Sequence, residues 1–456
     1  MIDLSMLGTI MALAWPTMLE QLMQTAVQYI DTAMVGSLGT QATAAVGATS
    51  TVSWLIGSTI SAIGIGFLPI IAQAHGAGNL ERAKRASAQA ILSVVVIGLL
   101  FTGLTIGLSR QIPILMQVDP SILDSSVRYF RILYSSMLFR TSTIILGTVL
   151  RSAGDTKTPM RVGIIVNLLN IVLNFLLIYP TRTLSLFGHA IPVFGLGLGV
   201  EGAAAASAIA YSYGGIAIFI TVWRHKTISP RGQSLMPDPE ILMPCLRVAL
   251  PNMLQRFTTS LGYVFFAAMI NGLGDVSTAA HTVANTVESA FYIPGWGMQA
   301  AAATLSGNAY GANDPKKLDR LCRTLPPLEI FFMVISGGLL FFLAEPLVRI
   351  FSKDPEVIRL GTTVLKMVAV SEPFYGIPIV VEGLMQGVGQ TFLPLVFNII
   401  GMWSIRIAGT FICTRLLGMG LISAWACMIG HNMLLFVLFT VSFLRGNWNP
   451  MKQNAT

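Results

Sequence analysis

Charged side chains are scarce in this chain: Asp, Glu, Lys and Arg make up 11% of its 456 residues. A soluble domain carries about a quarter, so a globule surrounded by water is excluded. Cysteine is scarcer still. Cys245, Cys322, Cys413 and Cys427 show neither metal-ligand spacing nor a disulfide framework. The five histidines, His75, His189, His225, His281 and His431, fall among loops and span ends and form no metal motif. An intramembrane hydrolase would need a metal or a nucleophile–base set, so no enzyme is expected. The net charge is +8, yet no basic stripe interleaved with aromatics accompanies it, which excludes a nucleic-acid partner.

What is present is apolar. Hydrophobic residues make up 54% of the chain, and its mean hydropathy is +0.71. Tracts long enough to cross a bilayer recur, among them 91–108, 158–179, 328–344 and 392–412. Twelve spans are expected, near 8–36, 45–72, 88–109, 126–150, 160–180, 198–222, 242–270, 280–305, 325–344, 360–386, 393–415 and 420–444. The first lacks a basic n-region and a cleavage site, so it reads as a retained helix. With the N-terminus inside, sixteen Lys and Arg face the cytoplasm and eight face outward. That asymmetry fits the positive-inside rule with both termini cytoplasmic. The excess basic charge is therefore topological.

The chain also repeats itself. A shift of 235 residues lays Pro16, Met18 and Leu19 on Pro251, Met253 and Leu254, and Gly76-Ala77 on Gly311-Ala312. The same shift lays Asp119-Pro120 on Asp354-Pro355, and Gly154, Thr156 and Pro159 on Gly389, Thr391 and Pro394. Six spans per half is an even number, so both halves enter from the same side. The expected fold is all-α and integral to the membrane: twelve transmembrane helices in two parallel six-helix lobes. A pseudo-twofold axis along the membrane normal would relate them. The expected division is an N-lobe at 1–222, a polar, proline-containing cytoplasmic linker at 223–241 and a C-lobe at 242–456. The segment TRTLSLFGHAIPVFGLG at 181–197 is an insertion in the first half only and reads as an outer loop. Duplicated membrane halves commonly enclose a pathway between them, which points to a transporter.

Ionisable groups inside a span carry a large desolvation cost, so each needs a reason. Asp31, in YIDTAMVGSLG, is the strongest candidate for binding a proton or a small cation; an interfacial Asp is the plainer reading. Asn170 and Asn174 lie four residues apart on one helical face, with Asn167 three residues earlier. Their amides suit Na⁺ or a protonated Asp as well as they suit helix–helix contact. Ser207 sits in the small-residue run GAAAASA, where close packing alone accounts for it. The shift pairs Asp31 with Phe266, Asn170 with Ile405 and Asn174 with Gly409, so this polar set exists in the first half only.

In the second half, Glu288 is a possible second proton or substrate carboxylate, or else a partner of Arg256 or Asn285. Glu382 reads as an inner-rim residue, and Pro373 after Glu372 implies a bend. Glu20, Arg140, Arg256 and Arg406 read as paired structural charges. Met and aromatic residues such as Phe257, Phe266, Trp296 and Met298 would suit a cavity for flat lipophilic cations. Lipid or neighbouring helices account for most of them equally well.

At Asp31 and the repeat the chain resembles the multidrug and toxic compound extrusion (MATE) transporters from end to end. The resemblance rests on Pro16, IDTAMVGSLG (30–39), AHGAGNLERAKR (74–85) and LRSAGDTKTPMR (150–161). It continues through NIVLNFLLIY (170–179), GLGVEGAAAASA (197–208) and PGWGMQAAAATLSGNAYGA (294–312). The resemblance implies cation-coupled export of varied, often cationic and aromatic compounds, through two six-helix lobes around a V-shaped cavity. It places the family's N-lobe cation or proton site on Asp31, Asn170, Asn174 and Ser207. Members of the NorM type carry further acidic residues in spans seven and ten. Here 251–270 contains none, which weighs against a second Na⁺ site.

The expected function is therefore antiport of organic cations by alternating access in the plasma membrane, by a monomer. H⁺ stands ahead of Na⁺ as coupling ion, with Na⁺ conceivable at Asp31, Asn170 and Asn174. Small organic cations and membrane lipid are the expected partners, and no cofactor is expected. The alternative on the same architecture is a flippase for lipid-linked oligosaccharide, in which Arg140, Arg256 and Arg406 would have to supply a cationic cavity.

Overall fold

The computed structural model describes residues 4–115, 120–186 and 189–453; Asp119 of the repeat lies outside them. The first half comprises α1 (Leu4–Gly36), α2 (Thr40–Gly76), α3 (Leu80–Gly107), α4 (Gln111–Leu115), α5 (Leu123–Tyr134), α6 (Met137–Ser152) and α7 (Lys157–Leu177). There follow β1 (Pro180–Leu186), β2 (His189–Leu196) and α8 (Gly199–Arg224). The second half comprises α9 (Pro239–Asn271), α10 (Asp275–Phe291), α11 (Ile293–Gly311), α12 (Pro315–Phe351), α13 (Pro355–Gly387) and α14 (Phe392–Ile400). A π-helical stretch at Gly401–Ile407, α15 (Ala408–Phe411) and a second π-helical stretch at Ile412–Leu416 prolong α14. The described chain ends with α16 (Leu421–Arg445) and α17 (Pro450–Gln453).

All twelve expected spans fall on helix. Among the described residues, eight helices are individually long and apolar enough to cross a membrane, and α5 with α6, bent by 47°, makes a ninth. Outside that set stand α1, α9 and the α10–α11 pair. α1 contains Glu20 and Asp31 among several glutamines, and α9 contains Arg247 and Arg256. Those are the helices whose polar residues need a reason. Exposed apolar stripes, such as Val95, Val96, Leu99 and Leu100 on α3, are suited to lipid. The turn before α12 is set by Asp314, whose side chain accepts from the Lys317 amide at 2.9 Å while Pro315 takes the first helical position. Asp354 and Pro355 do the same for α13. α13 then runs helical through Pro373 and Pro378 to Gly387.

The segment 181–197, read from sequence as a loop, is a two-stranded antiparallel hairpin pairing Thr183 with Pro192 and Leu184 with Ile191. Arg182 on β1 lies over the rings of Phe175 and Tyr179, 4.4 and 4.2 Å from their centroids. His281 and His431 also depart from expectation. They lie within α10 and α16, and the Trp425 indole N–H donates to His281 Nδ1 at 3.2 Å.

The chain forms two compact units. One contains Leu19–Phe67 and Leu80–Met243; the other contains Met1–Met18, Leu68–Asn79 and Pro244–Thr456. In the second of these, the C-terminal ends of α2 and α11 cross at glycine. A Cβ on Gly76 would collide with the Asn308 carbonyl, and one on Gly311 with the Gln73 carbonyl. Gly76 and Gly311, like Gln73 and Asn308, are equivalent positions of the 235-residue repeat, so the crossing is reciprocal. Ala72 meets its own counterpart, Gly307, where an added Cβ would lie 2.7 Å from that of Ala72. Without a water-driven hydrophobic term between membrane helices, such close backbone approach is what holds them together. The start of α1 joins the same unit, with Met6, Ile10 and Ala14 buried against Met298, Ala302 and Leu305.

Candidate functional site

Three helices of the unit containing Leu19–Phe67 and Leu80–Met243 bring the expected polar set together. α1 carries Asp31, α7 carries Asn170 and Asn174, and α8 carries Ser207. Asn174, 2% exposed, donates from Nδ2 to Asp31 Oδ1 at 2.7 Å. Asn170 is also buried. With its amide nitrogen turned to Asp31, it donates to Oδ1 at 2.9 Å and Oδ2 at 3.0 Å, and its oxygen accepts from the Ser207 hydroxyl at 3.0 Å. The opposite orientation would set the amide oxygen against a carboxylate. Asp31 and Ser207 are half-buried. The spacing of four on α7 thus serves as a two-pronged donor aimed at one carboxylate.

The local sequence explains the closeness. A Cβ on Gly202 of α8 would lie 2.5 Å from the Leu177 carbonyl of α7, so the small-residue run does permit close packing. Ser207, one and a half turns further along, adds a hydroxyl where that packing has brought the two backbones together. Tyr179, just past α7, fixes the end of α1. Its hydroxyl lies 2.7 Å from Ser37 Oγ and donates to the Met34 carbonyl at 3.2 Å. Asn167 does not join the set: no hydrogen bond links it to Asp31 among the described residues. Earlier on α1, about three turns before Asp31, Glu20 forms a two-oxygen ion pair with Arg151 of α6, both contacts at 2.8 Å. This fixes the part of α1 from Leu19 onward to the unit containing Leu80–Met243 at a second point.

The other unit holds the remaining candidates. Glu288, 5% exposed, accepts from the Tyr292 hydroxyl at 2.5 Å; its partner is therefore Tyr292, not Arg256 or Asn285. Arg256 instead donates from Nε to Asn252 Oδ1 at 2.9 Å. Glu382 accepts from Gln255 at 3.0 Å and Gln386 at 3.2 Å. Arg406 is buried under Tyr263 and Phe266, 4.7 and 4.5 Å from their ring centroids. Arg140 lies over Tyr211 at 5.2 Å. Of the four expected paired charges, only Glu20 has a carboxylate–cation pair among the described residues; the arginines use aromatic faces or an amide. Phe266 and Met298 are fully buried in helix packing, whereas Phe257 and Trp296 are exposed. Sequence reading missed Glu329, which is completely buried in α12. It stands at the start of the tract 328–344, whose apolarity concealed it.

These elements match known proteins over the whole chain. The family model MatE fits twice, over residues 16–176 and 251–412, together more than half of the chain. Its two matches begin 235 residues apart, the repeat distance. The chain is 28% identical to the probable multidrug resistance protein NorM of Thermotoga maritima over 436 residues, which cover 96% of this chain and 92% of that one. A crystal structure of MATE in complex with MaD3S superposes with a TM-score of 0.87 at 22% identity, covering 98% of this chain and 96% of the other. A crystal structure of a mutant of the Vibrio cholerae MATE transporter VcmN gives 0.88 at 18% identity, covering 98% of both chains. The fold is thus the all-α, multi-pass membrane fold of twelve spanning helices in two lobes, and the chain belongs to the MatE family of transporters.

Proposed function

We propose that this transporter exports organic, mostly cationic and aromatic compounds in exchange for an incoming cation, with H⁺ ahead of Na⁺, by alternating access between the lobes 1–222 and 242–456. The observation that carries the reading is the convergence of the Asn170 and Asn174 amides on the half-buried Asp31 carboxylate. Two N–H donors stabilise a charged carboxylate. A proton arriving at Asp31 turns one oxygen from acceptor to donor, so one amide has to swing its oxygen round. Na⁺ would require both amides to turn and further oxygens to complete its shell, so protonation asks for the smaller rearrangement. Either event loosens the tie between α1 and α7, which Ser207 passes on to α8. Lower substrate affinity after protonation and proton release on substrate binding are the two faces of one linkage.

The multidrug resistance names of relatives such as the Thermotoga maritima protein support the substrate class. The Lys and Arg asymmetry supports a plasma-membrane protein with both termini in the cytoplasm, and one chain is the proposed working unit. Arg140, Arg256 and Arg406, which a flippase for a diphosphate lipid would need, are each engaged by an aromatic ring or an amide.

The test is export of a fluorescent organic cation from proteoliposomes under a pH gradient or a Na⁺ gradient applied separately. Export driven by pH alone is expected. Export driven by Na⁺ alone would make Asp31, Asn170, Asn174 and Ser207 metal ligands. No export under either gradient would discard antiport.

A further inference from the structure

Glu329 lies about 21 Å along α12 from its first residue, deep within a helix expected to cross the membrane. It is 0% exposed, and neither carboxyl oxygen has a hydrogen-bond partner among the described residues. Two helices close around it at glycine. A Cβ on Gly295 of α11 would lie 3.2 Å from Glu329 Oε1, and one on Gly376 of α13 would lie 3.0 Å from the same oxygen. The carboxyl therefore occupies the space that two missing side chains leave. The titratable groups nearest it along the helices packed around it are Glu288 and Tyr292 near the α10–α11 junction, and Glu372, Tyr375 and Glu382 on α13; Asp275, His281, Tyr310, Glu356, Arg359 and Lys366 lie farther along the same helices. Tyr292 is bonded to Glu288, the Tyr292 and Tyr375 rings pack 5.4 Å apart, and Glu382 is held by Gln255 and Gln386. None of them bonds Glu329. Glu372 is equally buried but sits in a different notch, against Gly337.

An unpaired carboxylate charge does not persist in such surroundings; the group neutralises instead. Two of the three helices carry an interior proline within a turn of the carboxyl, Pro327 two residues before Glu329 on α12 and Pro378 two residues after Gly376 on α13, while Pro294 beside Gly295 stands in the first turn of α11, just past its break from α10. Proline removes a backbone donor and lets a helix bend at a fixed place. The two weakened turns and the α10–α11 break meet at the carboxyl they enclose.

We propose that Glu329 is a second proton-binding site, separate from Asp31: it carries a proton in this conformation and gives it to water when α11, α12 and α13 flex apart at these prolines. The step is a single proton transfer, from the Glu329 carboxyl to water on opening and back again on closure. It builds on the antiport reading, in which the transport cycle turns only through protonation of Asp31, and makes a different prediction, the number of protons exchanged per turn rather than whether exchange occurs.

The test is the H⁺-to-substrate ratio in proteoliposomes with the membrane potential clamped, using a fluorescent organic cation. With two protons per substrate, a one-unit pH gradient sustains about hundredfold accumulation, and with one proton about tenfold, each tenfold being one unit of proton gradient. Wild type is expected to reach the first value. Glu329→Gln and Glu329→Met are expected to fold, export and stop near the second. A wild-type ratio of one overturns the proposal whether or not the variants fold, and so does an unchanged ratio in Glu329→Gln. If Asp31→Asn still exports uphill while Glu329→Gln lowers the ratio, the Asp31 reading fails and the Glu329 site stands.

Discussion

At the scale of single residues, the Asp31 set works because each member has one task. The two amides of α7 hold the carboxylate, the carboxylate fixes which way the Asn170 amide faces, and the Ser207 hydroxyl bonds the far side of that amide. Ser207→Ala removes that hydrogen bond. A net contribution of about 0.5–1.5 kcal/mol corresponds to a roughly two- to tenfold lower rate of pH-driven export, whereas Ser207→Thr keeps the hydroxyl and stays near wild type. Initial rates in proteoliposomes separate the two. Asp31, Asn170 and Asn174 were legible in the sequence because a polar residue stands out in an apolar tract, and a spacing of four puts two of them on one face. Ser207 was ambiguous: packing and hydrogen bonding use the same small residue, and only the approach of α8 to the Leu177 carbonyl shows that it does both. The partner of Glu288 could not be read. Tyr292 comes within reach by lying four residues on, across the break between α10 and α11.

At the scale of elements, the crossing of α2 and α11 tolerates no side chain. Gly76→Val and Gly311→Val both force a Cβ into a backbone carbonyl. Each is expected to destabilise by about 1–3 kcal/mol or more, and to a similar degree, because the positions are equivalent in the repeat. Gly338→Ala on α12 meets nothing within 4 Å and should leave the melting temperature unchanged or higher. Thermal unfolding in detergent tests all three, and unequal losses at Gly76 and Gly311 would contradict the reciprocal crossing.

The linker is also an element with a fixed place. Arg85 of α3 holds Asp238 at 2.6 Å and Glu240 at 2.8 Å, Gln89 donates to the Met236 carbonyl at 2.8 Å, and Gln233 donates to Glu81 at 3.0 Å. The hydrogen bond from Lys84, then that from Gln233, holds the Glu81 carboxyl below its usual range. A depressed carboxylate anchors above its unfolded-state pKa and loses that contribution as pH falls through its folded-state value. Acidification below the ordinary Glu range near about 4.3 should therefore speed hydrogen exchange in 226–237, and Arg85→Ala should do so at neutral pH.

At the scale of the whole molecule, the repeat was the most readable feature, since an unchanged shift from Pro16 to Pro159 needs no structure to detect. The two family-model matches begin the same distance apart. Hydropathy alone was less complete: α1, α9 and the α10–α11 pair fall short of the spanning criterion because of their polar residues or their break. The hairpin at 180–196 was hidden because two prolines and two glycines made an alternating segment look like loop. Glu329 was hidden for the opposite reason, one acid diluted by a long apolar run.

The central claim is that protonation of Asp31 drives export. Its most direct measurement is uphill export of a fluorescent organic cation under an imposed pH gradient, comparing wild type with a folded Asp31→Asn protein in matched proteoliposomes. Uphill export by wild type and none by Asp31→Asn is the predicted result. Undiminished pH-driven export by Asp31→Asn would contradict the account.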